Sequence, residues 1–503
     1  MWLQLYEVDT FIRRPGSGIV ESRWGVLLPH EFFSCLACDF PDVWQELFCV
    51  PPDYWDHVAR AADPWFEEHL LKDKVLGAPH KATPIRLFCD DTGLRKTRNV
   101  RVMHWFGEGS SAPTWRRKVP CYIVPMHQLV DDLTEGPLQE VVQWSMNALA
   151  LGKWPMLDHT GQPWSSNTCS GPSAYRAKRA GDPLTPDHRF GIYTSTSADW
   201  KWHKENFKWA QDWSKNECCQ RCIATKAGAT NFAAFVPFAE RSHQDYMCSI
   251  AARTSPLTQI IGFHLHTVLP ELLHAGCLGV CQILNGCLLK EFADEGRWGA
   301  GPVDGKWQDR LDVKLAVAWD SFINWARAHN KIHTQRCFTS LRLSLRNRMS
   351  WPELKGKAHN ALVVMEWLGA IAQRHDGTAH SELRACVAWG FNEFFHVVRI
   401  AGDWLSCRQL DRLRYTKIWV FDGYNKLSNE AARQGIPHYK IIPKHHVLFH
   451  VYLDMLRTGR NAGRLWTFSD EENMRNISQI SCAVHPQRIG MSSLERWLMQ
   501  FFA

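Results

Sequence analysis

The sequence has no apolar run of the length that a membrane-spanning helix requires. Its longest nearly apolar stretch, residues 275–289, is 15 residues long and includes Gln282 and Asn285, whereas a spanning helix needs about 20 apolar residues. Residues 1–16 also lack the apolar core and the small-residue cleavage site of a secretory signal peptide. The sequence therefore predicts a protein that neither spans a membrane nor is secreted.

The chain also lacks the cysteine pattern of a disulfide-stabilised protein. Its 17 cysteines are an odd number, scattered over 503 residues. In a long chain without a signal peptide, such cysteines are expected to be reduced thiols. The prediction that follows is a nuclear or cytoplasmic location.

Several common catalytic motifs are missing. The sequence contains no phosphate-binding glycine loop, no protein-kinase signature and no G-x-S-x-G nucleophile motif. We therefore expect no nucleotide cofactor and no acyl-transfer chemistry.

The composition is that of a folded protein with a mild basic excess. Hydrophobic residues make up 45% and charged residues 22% of the chain, which excludes general disorder. The length suffices for about three domains. The net charge of +7, with 24 histidines besides, is compatible with a polyanionic partner.

The hydrophobic pattern predicts a mixed α/β fold with a large helical part. Residues 1–79 read as an N-terminal helical layer. In residues 80–215, β-prone runs predict four strands and one helix, with a long turn-rich loop at 158–189. Apolar residues recur at helical spacing through 216–458, and residues 459–503 add a C-terminal helix.

Acidic residues fall where the predicted elements end. Asp90 and its neighbour Asp91 lie in or just after the first predicted strand, and Asp199 follows the fourth. Glu471 and Glu472 lie on the last helix. Converging carboxylates repel one another unless a divalent cation neutralises them, and Mg²⁺ or Mn²⁺ prefers oxygen ligands. The alternative to a metal site is that Asp90 and Asp91 belong to a turn, Asp199 caps a helix and Glu471 interacts with a helix dipole. The spacing alone favours this alternative.

Five short segments carry a family resemblance. They are residues 85–90 (IRLFCD), 199–205 (DWKWHKE), 219–222 (CQRC), 270–274 (PELLH) and 469–472 (SDEE). Together they resemble transposase-derived proteins of eukaryotic cut-and-paste DNA elements, of the CACTA-like or hAT-like type. The resemblance extends from about residue 25 to the C-terminus.

The resemblance implies a ribonuclease H-like mixed sheet, interrupted by the helical insertion before the last acidic residue. It implies that Asp90, Asp199 and Glu471 hold two Mg²⁺ or Mn²⁺ ions, with Asp91 and Glu472 as alternates. The implied activity is metal-dependent DNA cleavage and strand transfer. DNA is the implied partner, and a homo-oligomer is compatible with the resemblance.

The chain departs from the family's pattern in several places. Glu271 stands where similar proteins often have Asp, and Cys89 and Ala198 stand where Gly often precedes the two aspartates. The sequence shows no separate N-terminal DNA-recognition module. The alternative of a catalytically inactive nucleic-acid-binding or scaffold protein on the same fold therefore stays open, as does a zinc-stabilised interaction protein.

A single Cys-x-x-Cys pair lies shortly after Asp199. Cys219 and Cys222 could form a tetrahedral structural zinc site with His243 and Cys248, and His203 is a less favoured fourth ligand. One such pair is only half of a zinc signature, and two buried thiols are the alternative.

A pair of histidines lies much further along the chain. His446 and His450 are four residues apart on one face of a predicted helix, a spacing that permits metal binding. Without a Glu in the motif this is not a zinc-protease signature, and buried, hydrogen-bonded imidazoles are the favoured interpretation.

Two basic segments are candidates for nucleic-acid contact. The first alternates Trp with Lys, although an amphipathic helix with its Trp side chains inward fits equally well. The second, an Arg-rich stretch, is the better electrostatic candidate, although such stretches are often solvated faces. The candidate contact residues are Lys201, Trp202, Lys204, Arg342, Arg346 and Arg348.

Overall fold

The structure, a computed structural model, describes residues 3–95, 98–164, 171–226, 238–250, 255–299, 304–465 and 467–503. The chain forms two compact units. The first unit comprises Met1–Ala210, Ser242–Leu269 and Thr467–Ala503. The second comprises Gln211–Arg241 and Pro270–Trp466.

Within the described part of the chain, the strands lie in the first unit. They are β1 (Tyr6–Arg14), β2 (Gly18–Val26), β3 (Ala82–Arg95), β4 (Arg98–Gly107), β5 (Val119–Pro125), β6 (Phe190–Ser197) and β7 (Val268–Leu269).

Helices occur in both units. In the described residues the α-helices are α1 (Pro29–Asp39), α2 (Pro41–Phe48), α3 (Tyr54–Ala61), α4 (Pro64–Glu67), α5 (Lys72–Gly77), α6 (Thr114–Arg117), α7 (Asp131–Leu151), α8 (Pro172–Arg179), α9 (Trp200–Phe207), α10 (His243–Ser249), α11 (Cys281–Asp294), α12 (Trp307–Ala328), α13 (Ala358–Ala372), α14 (Ala379–Ile400), α15 (Cys407–Lys417), α16 (Tyr424–Arg433), α17 (Pro443–Thr458), α18 (Phe468–Cys482) and α19 (Ile489–Phe502).

A five-stranded mixed sheet with the order β5-β4-β3-β6-β7 forms the centre of the first unit. β3 runs antiparallel to β4, and β4 runs antiparallel to β5. On the other side, β3 runs parallel to β6, and β6 runs parallel to β7. All eight residues of β6 are buried, as expected of a parallel strand that is covered on both faces. The predicted α/β class is therefore confirmed.

The four strands predicted in residues 80–215 all occur, and so does the predicted helix. That helix, α7, ends at Gly152, whose φ of +71° is a left-handed conformation that favours glycine. β7 was not predicted, because two residues are too short to leave a periodic pattern.

The prediction for residues 1–79 was partly wrong. Helices α1 to α5 are present, but β1 and β2 form an antiparallel hairpin before them. Along β1 the buried residues alternate with exposed ones, beginning with Tyr6 and Val8. This period of two is typical of a strand that is buried on one face.

The second unit is helical in its described residues and differs in extent from the predicted insertion. Residues 242–269 return to the first unit, because β7 pairs with β6. Two π-helical stretches occur in this unit, Leu273–Val280 and Ile418–Gly423. Among the described residues, Leu273–Asp294 is long and apolar enough for a membrane span by length and composition, and 83% of its most apolar window is buried in the fold. Such burial is typical of a core helix.

Candidate acidic site and metal centre

Two of the predicted catalytic aspartates follow the paired residues of two neighbouring strands, Asp90 within β3 and Asp199 just after β6. Phe88 of β3 pairs in register with Ser197 of β6. Asp90 and Asp199 each lie two residues beyond this pair. Arg86 Nε donates a hydrogen bond of 2.7 Å to Ser197 Oγ, so Ser197 shares a face with the even-numbered residues of β3. Asp90 and Asp199 therefore both follow the last paired residues of β3 and β6, on neighbouring segments of chain whose paired parts are about 5 Å apart.

Each of these carboxylates already has one backbone partner. Asp199 is the N-cap of α9, and its Oδ1 accepts a hydrogen bond of 2.7 Å from the N–H of Trp202. The Oδ1 of the half-buried Asp90 accepts a hydrogen bond of 2.7 Å from the N–H of Asp91. Asp199 therefore caps a helix, as the predicted alternative had it. This hydrogen bond occupies one of the two carboxylate oxygens of Asp199.

The alternate ligand Asp91 lies on the opposite face of β3 and has an ion-pair partner. Its two carboxylate oxygens accept hydrogen bonds of 2.7 and 3.2 Å from Arg101. Arg101 also donates to Glu135 of α7 at 2.7 Å. Asp91 therefore shares Arg101 with Glu135 of α7, on the face of β3 opposite to Asp90.

The helix that carries the third acidic position packs on the same face as Asp90. In its first turn, Asp470 Oδ1 lies 2.9 Å from His104 Nε2 and 2.5 Å from Lys118 Nζ. The His104 ring stacks on Phe88 of β3 with centroids 4.9 Å apart. These contacts fix the start of α18 against β3, β4 and β5.

The charges of this buried group are strongly perturbed. Burial alone would raise the pKa of the Asp470 carboxyl, but Lys118 and His104 hold that pKa well below its usual range. Burial lowers the pKa of Lys118 to about 7, against the attraction of Asp470. Burial also lowers the pKa of His104 to about 4, so this imidazole is neutral at pH 7. Asp470 is thus an ionised carboxylate that is held by the buried side chains of Lys118 and His104.

The two predicted glutamates follow Asp470 directly. The Glu471 side chain lies outside the part of the chain that the structure describes. Glu472 is exposed, on the side of α18 away from the buried residues of that helix. The fallback role of Glu472 as a metal ligand is therefore not supported by its position.

A second group of potential ligands lies in the second unit. Cys219, Cys222, His446 and His450 are all buried, and each offers one ligand atom within 4.8 Å of the others. The sulfur of Cys219 is 3.4 Å from His450 Nε2, and the sulfur of Cys222 is 3.4 Å from His446 Nε2. The edges of a tetrahedral Cys₂His₂ zinc site measure about 3.3 to 3.8 Å, given the usual zinc–ligand bond lengths. The described atoms therefore fit a tetrahedral metal site, which we call the Cys₂His₂ cluster.

Local structure brings these four residues together. His446 and His450 lie one turn apart on α17, and Asp454 follows one turn later on the same face. Arg221, between the two cysteines, forms two hydrogen bonds of 2.5 Å with Asp454. The Arg221 N–H also points at the sulfur of Cys219, at 3.4 Å. The cysteine loop is thus attached to the histidine face of α17 by an ion pair as well.

The electrostatics of the cluster favour a thiolate. Burial alone would raise the pKa of the Cys219 thiol, but Cys222 and the two imidazoles lower this pKa well below its usual range. The pKa of the Cys222 thiol is raised by its hydrogen bond with Cys219 and by burial, and the charge of Cys219 raises it further. Thiolates are the form of cysteine that binds metal.

Three other predicted zinc ligands need correction, because the structure places them elsewhere. His243 packs its ring against His264, with centroids 4.5 Å apart. Cys248 is exposed, and His203 is buried among the aromatic rings of Phe207 and Trp209. The CxxC prediction identified two members of the cluster, and α17 supplies the other two.

The candidate nucleic-acid contacts differ in exposure. Trp202 is 3% exposed and packs against Phe207, so it is a core residue and is not placed to stack on a base. Lys201 is exposed and lies 3.9 Å from Glu205. Lys204 lines a cavity of 690 Å³ together with residues of both charge signs. In the second basic segment Arg346 and Arg348 are exposed, and Arg342 is half-buried.

Comparisons with known proteins add no relative. No protein-family model matches this chain, and no curated protein matches its sequence significantly.

Proposed function

We propose that the first unit is a ribonuclease H-like core that cleaves DNA phosphodiester bonds and transfers strands with the aid of Mg²⁺ or Mn²⁺, as DDE-type transposases do. The observation that carries this proposal is the register of β3 and β6, which pairs Phe88 with Ser197, the residues two positions before Asp90 and Asp199. The sheet supports it, since β3 has an antiparallel neighbour and a parallel neighbour, and the resemblance implies a mixed sheet.

The donor chemistry of these residues fits hard cations. Carboxylate oxygens are the ligands that Mg²⁺ and Mn²⁺ prefer. When bound, two such ions activate the attacking oxygen and stabilise the leaving oxygen. Asp90 and Asp199 would bind them. The third ligand that the resemblance implies is Glu471, which follows the buried Asp470 in the sequence. Asp470 is a positioning residue in this account, because it fixes the first turn of α18.

The proposed reaction has two balanced steps. In cleavage, the oxygen of water forms a bond to phosphorus, the bond from phosphorus to the 3′-oxygen breaks, and a proton of that water passes to the 3′-oxygen. In strand transfer, the freed 3′-hydroxyl forms a bond to a phosphorus of target DNA. The 3′-oxygen of the target leaves and takes the proton.

We infer a structural role for the Cys₂His₂ cluster, with zinc as its metal. Four protein ligands leave no open position for substrate, which is characteristic of structural zinc sites. The sulfur and nitrogen donors favour zinc over Mg²⁺ or Mn²⁺. Zinc would join the cysteine loop to α17 within the second unit.

A second candidate function is a catalytically inactive nucleic-acid-binding or scaffold protein. The observation that favours it is the N-cap hydrogen bond of Asp199, since that contact explains an Asp at this position without any metal.

A cleavage assay separates the two. Labelled duplex DNA with Mn²⁺ is incubated with the zinc-loaded protein, with Asp199→Asn and with Glu205→Gln. Asn caps a helix about as well as Asp but lacks the charge, whereas Glu205 is an exposed acid of the same helix. The proposal predicts cleavage by the protein and by Glu205→Gln, and a loss of about 100-fold or more in Asp199→Asn. Absence of cleavage by the folded protein favours the second function, whereas equal cleavage by all three proteins would refute the role of Asp199 as a metal ligand.

A further inference from the structure

The segment between α12 and α13 carries most of the net charge of the protein. Residues 331–357 contain seven Lys and Arg but a single Glu, a net charge of +6, while the whole chain has +7. Positive charge is thus concentrated in one short segment. A cluster of this kind is the electrostatic signature of a polyanion-binding surface.

This segment has a defined backbone although it contains neither helix nor strand. Its two limbs are joined by backbone hydrogen bonds, from Glu353 N to Leu343 O at 3.0 Å and from Lys355 N to Arg342 O at 3.1 Å. Leu343 is fully buried. The limbs therefore hold the residues between them as a fixed loop, and we call residues 341–351 the arginine tip.

Side-chain contacts also fix the end of the arginine tip. Ser350 Oγ accepts hydrogen bonds from the N–H groups of Arg346 and Asn347, at 3.2 and 3.1 Å. Gln308 of α12 donates to the carbonyl of Arg346 at 2.9 Å. The backbone that presents the arginines is therefore ordered before any ligand binds, which lowers the entropic cost of binding.

The exposed cations of this segment lack an ion-pair partner among the described residues. No carboxylate in the described part of the chain forms an ion pair with Arg346 or Arg348 of the tip, or with Lys355 just after it, and all three side chains are exposed. By contrast Lys331, at the start of the segment, lies 2.5 Å from Glu366. On a solvated surface stabilised by ion pairs, each cation would have a carboxylate partner, as Lys331 has. Arg346 and Arg348 of the tip have none among the described residues.

Large apolar side chains are exposed beside these cations. Leu341 is 75% exposed, Met349 is 69% exposed and Trp351 is 44% exposed. Exposed apolar groups rimmed by charges mark interaction sites. An exposed Trp among arginines is the combination with which proteins hold nucleic acids, by stacking on bases and pairing with phosphates.

We propose that the arginine tip binds DNA, with Arg346 and Arg348 on backbone phosphates and Trp351 against a base or sugar. The choice of DNA rests on the proposed function, whereas the positive charge, the exposure and the fixed backbone do not depend on it. The binding needs no divalent metal, because the arginine side chains supply the charge.

The test is the salt dependence of DNA binding, measured by fluorescence anisotropy on a labelled duplex with zinc-loaded protein and no added Mg²⁺ or Mn²⁺. The tip variant carries two substitutions, Arg346→Gln and Arg348→Gln. The matched control variant also carries two, Arg408→Gln and Arg433→Gln. All four arginines are exposed residues of the second unit. We expect the tip variant to lower the slope of log K against log salt by about 2, since each phosphate contact contributes about 0.9.

A third variant tests the aromatic contact. Trp351→Ala is expected to weaken binding roughly tenfold while leaving the salt slope unchanged, because stacking releases no counterion. Equal slopes for the tip variant and the control would overturn the proposal. So would competition by poly-glutamate as strong as that by DNA of equal charge, which would indicate an acidic protein as the partner.

The result is separable from the outcome for the acidic site. Asp199→Asn is expected to retain metal-free DNA binding with an unchanged slope. If the protein cleaves DNA but the tip variant has the same salt slope as the control, only the tip proposal is wrong. If the tip variant lowers the salt slope but the protein does not cleave DNA, only the proposed activity is wrong.

Discussion

The Nε2 atoms of His446 and His450 lie 3.1 Å apart, and a cysteine sulfur lies 3.4 Å from each of them. Two imidazole nitrogens and two sulfurs at these separations have the spacing of a coordination shell. A group of this kind stabilises a fold strongly when metal joins its members, because binding free energy becomes folding free energy.

Substitution of one ligand is expected to remove the metal. We expect about one zinc per chain in the purified protein and almost none in Cys222→Ser, as measured by inductively coupled plasma mass spectrometry. The free energy of unfolding should fall by more than about 4 kcal/mol, as for other losses of a structural metal.

The matched control for that substitution is Cys218→Ser. Cys218 is also buried, but its thiol donates to the carbonyl of Ala224 at 3.5 Å and does not belong to the cluster. Full zinc content in both variants would refute the zinc assignment.

The buried His30 is expected to make stability depend on pH. Burial lowers its pKa to about 3, while an unfolded histidine titrates near 6.5. Between these values the unfolded chain binds the extra proton, so stability is complete above pH 6.5 and falls as the pH falls. From pH 7 to pH 5 this single group should cost about 2 kcal/mol.

Urea denaturation of His30→Gln at both pH values measures this contribution. The variant will be less stable at pH 7, since it loses the contact of His30 Nδ1 with Ser145 Oγ at 2.8 Å. Its loss between pH 7 and pH 5 should be about 2 kcal/mol smaller than that of the unsubstituted protein. The exposed His80→Gln serves as control, and an identical pH dependence in all three proteins would contradict the account.

The buried ion pair at the start of α18 is expected to be essential for stability. Asp470→Asn leaves the Lys118 ammonium without its anionic partner, and loss of one member of a buried pair costs about 3 to 5 kcal/mol. The exposed Glu472→Gln, two residues away, should change stability by less than about 0.5 kcal/mol. Equal effects in guanidinium denaturation would show that Asp470 does not anchor this helix.

Asp199 has two separable roles in this account. Asp199→Ala removes the N-cap hydrogen bond to Trp202 and should cost about 1 kcal/mol of stability, whereas Asp199→Asn should keep most of it. Thermal unfolding without divalent metal measures this difference. Equal losses in both variants would mean that the carboxylate charge, and not the cap, stabilises the fold at this position.

Local sequence patterns predicted the local structure well. β3 to β6 follow from short β-prone runs bounded by turn residues, α7 follows from apolar residues at helical spacing, and Gly152 marks the end of α7. The hairpin of β1 and β2 also carried a strand signal, since Tyr6 and Val8 begin a strict alternation, and the prediction of a purely helical N-terminal region overlooked it. Trp202 faces the core of the first unit, as the alternative of an amphipathic helix had indicated.

The completed Cys₂His₂ cluster could not be read from spacing. His446 is 224 residues from Cys222, and His450 is 231 residues from Cys219. His243 was preferred as a ligand because it lies close to the cysteines in sequence, but helix packing, which spacing does not encode, decides which residues meet. The i, i+4 pattern of His446 and His450 was the available signal, and it became specific only when α17 was placed against the cysteine loop.

The acidic site shows the same limit. Sequence alone placed Asp90 in or just after one strand and Asp199 after another, and it did not show that these two strands, β3 and β6, are parallel neighbours. Hydrophobic periodicity could not predict that pairing, since it does not specify which strands are neighbours.

The most direct test of the acidic site is the number of Mn²⁺ ions that the zinc-loaded protein binds, counted by electron paramagnetic resonance during titration. The account predicts two ions in the protein and in the control Glu205→Gln, and none at the same concentrations in Asp90→Asn combined with Asp199→Asn. Equal Mn²⁺ binding by all three proteins, with the zinc content unchanged, would contradict it.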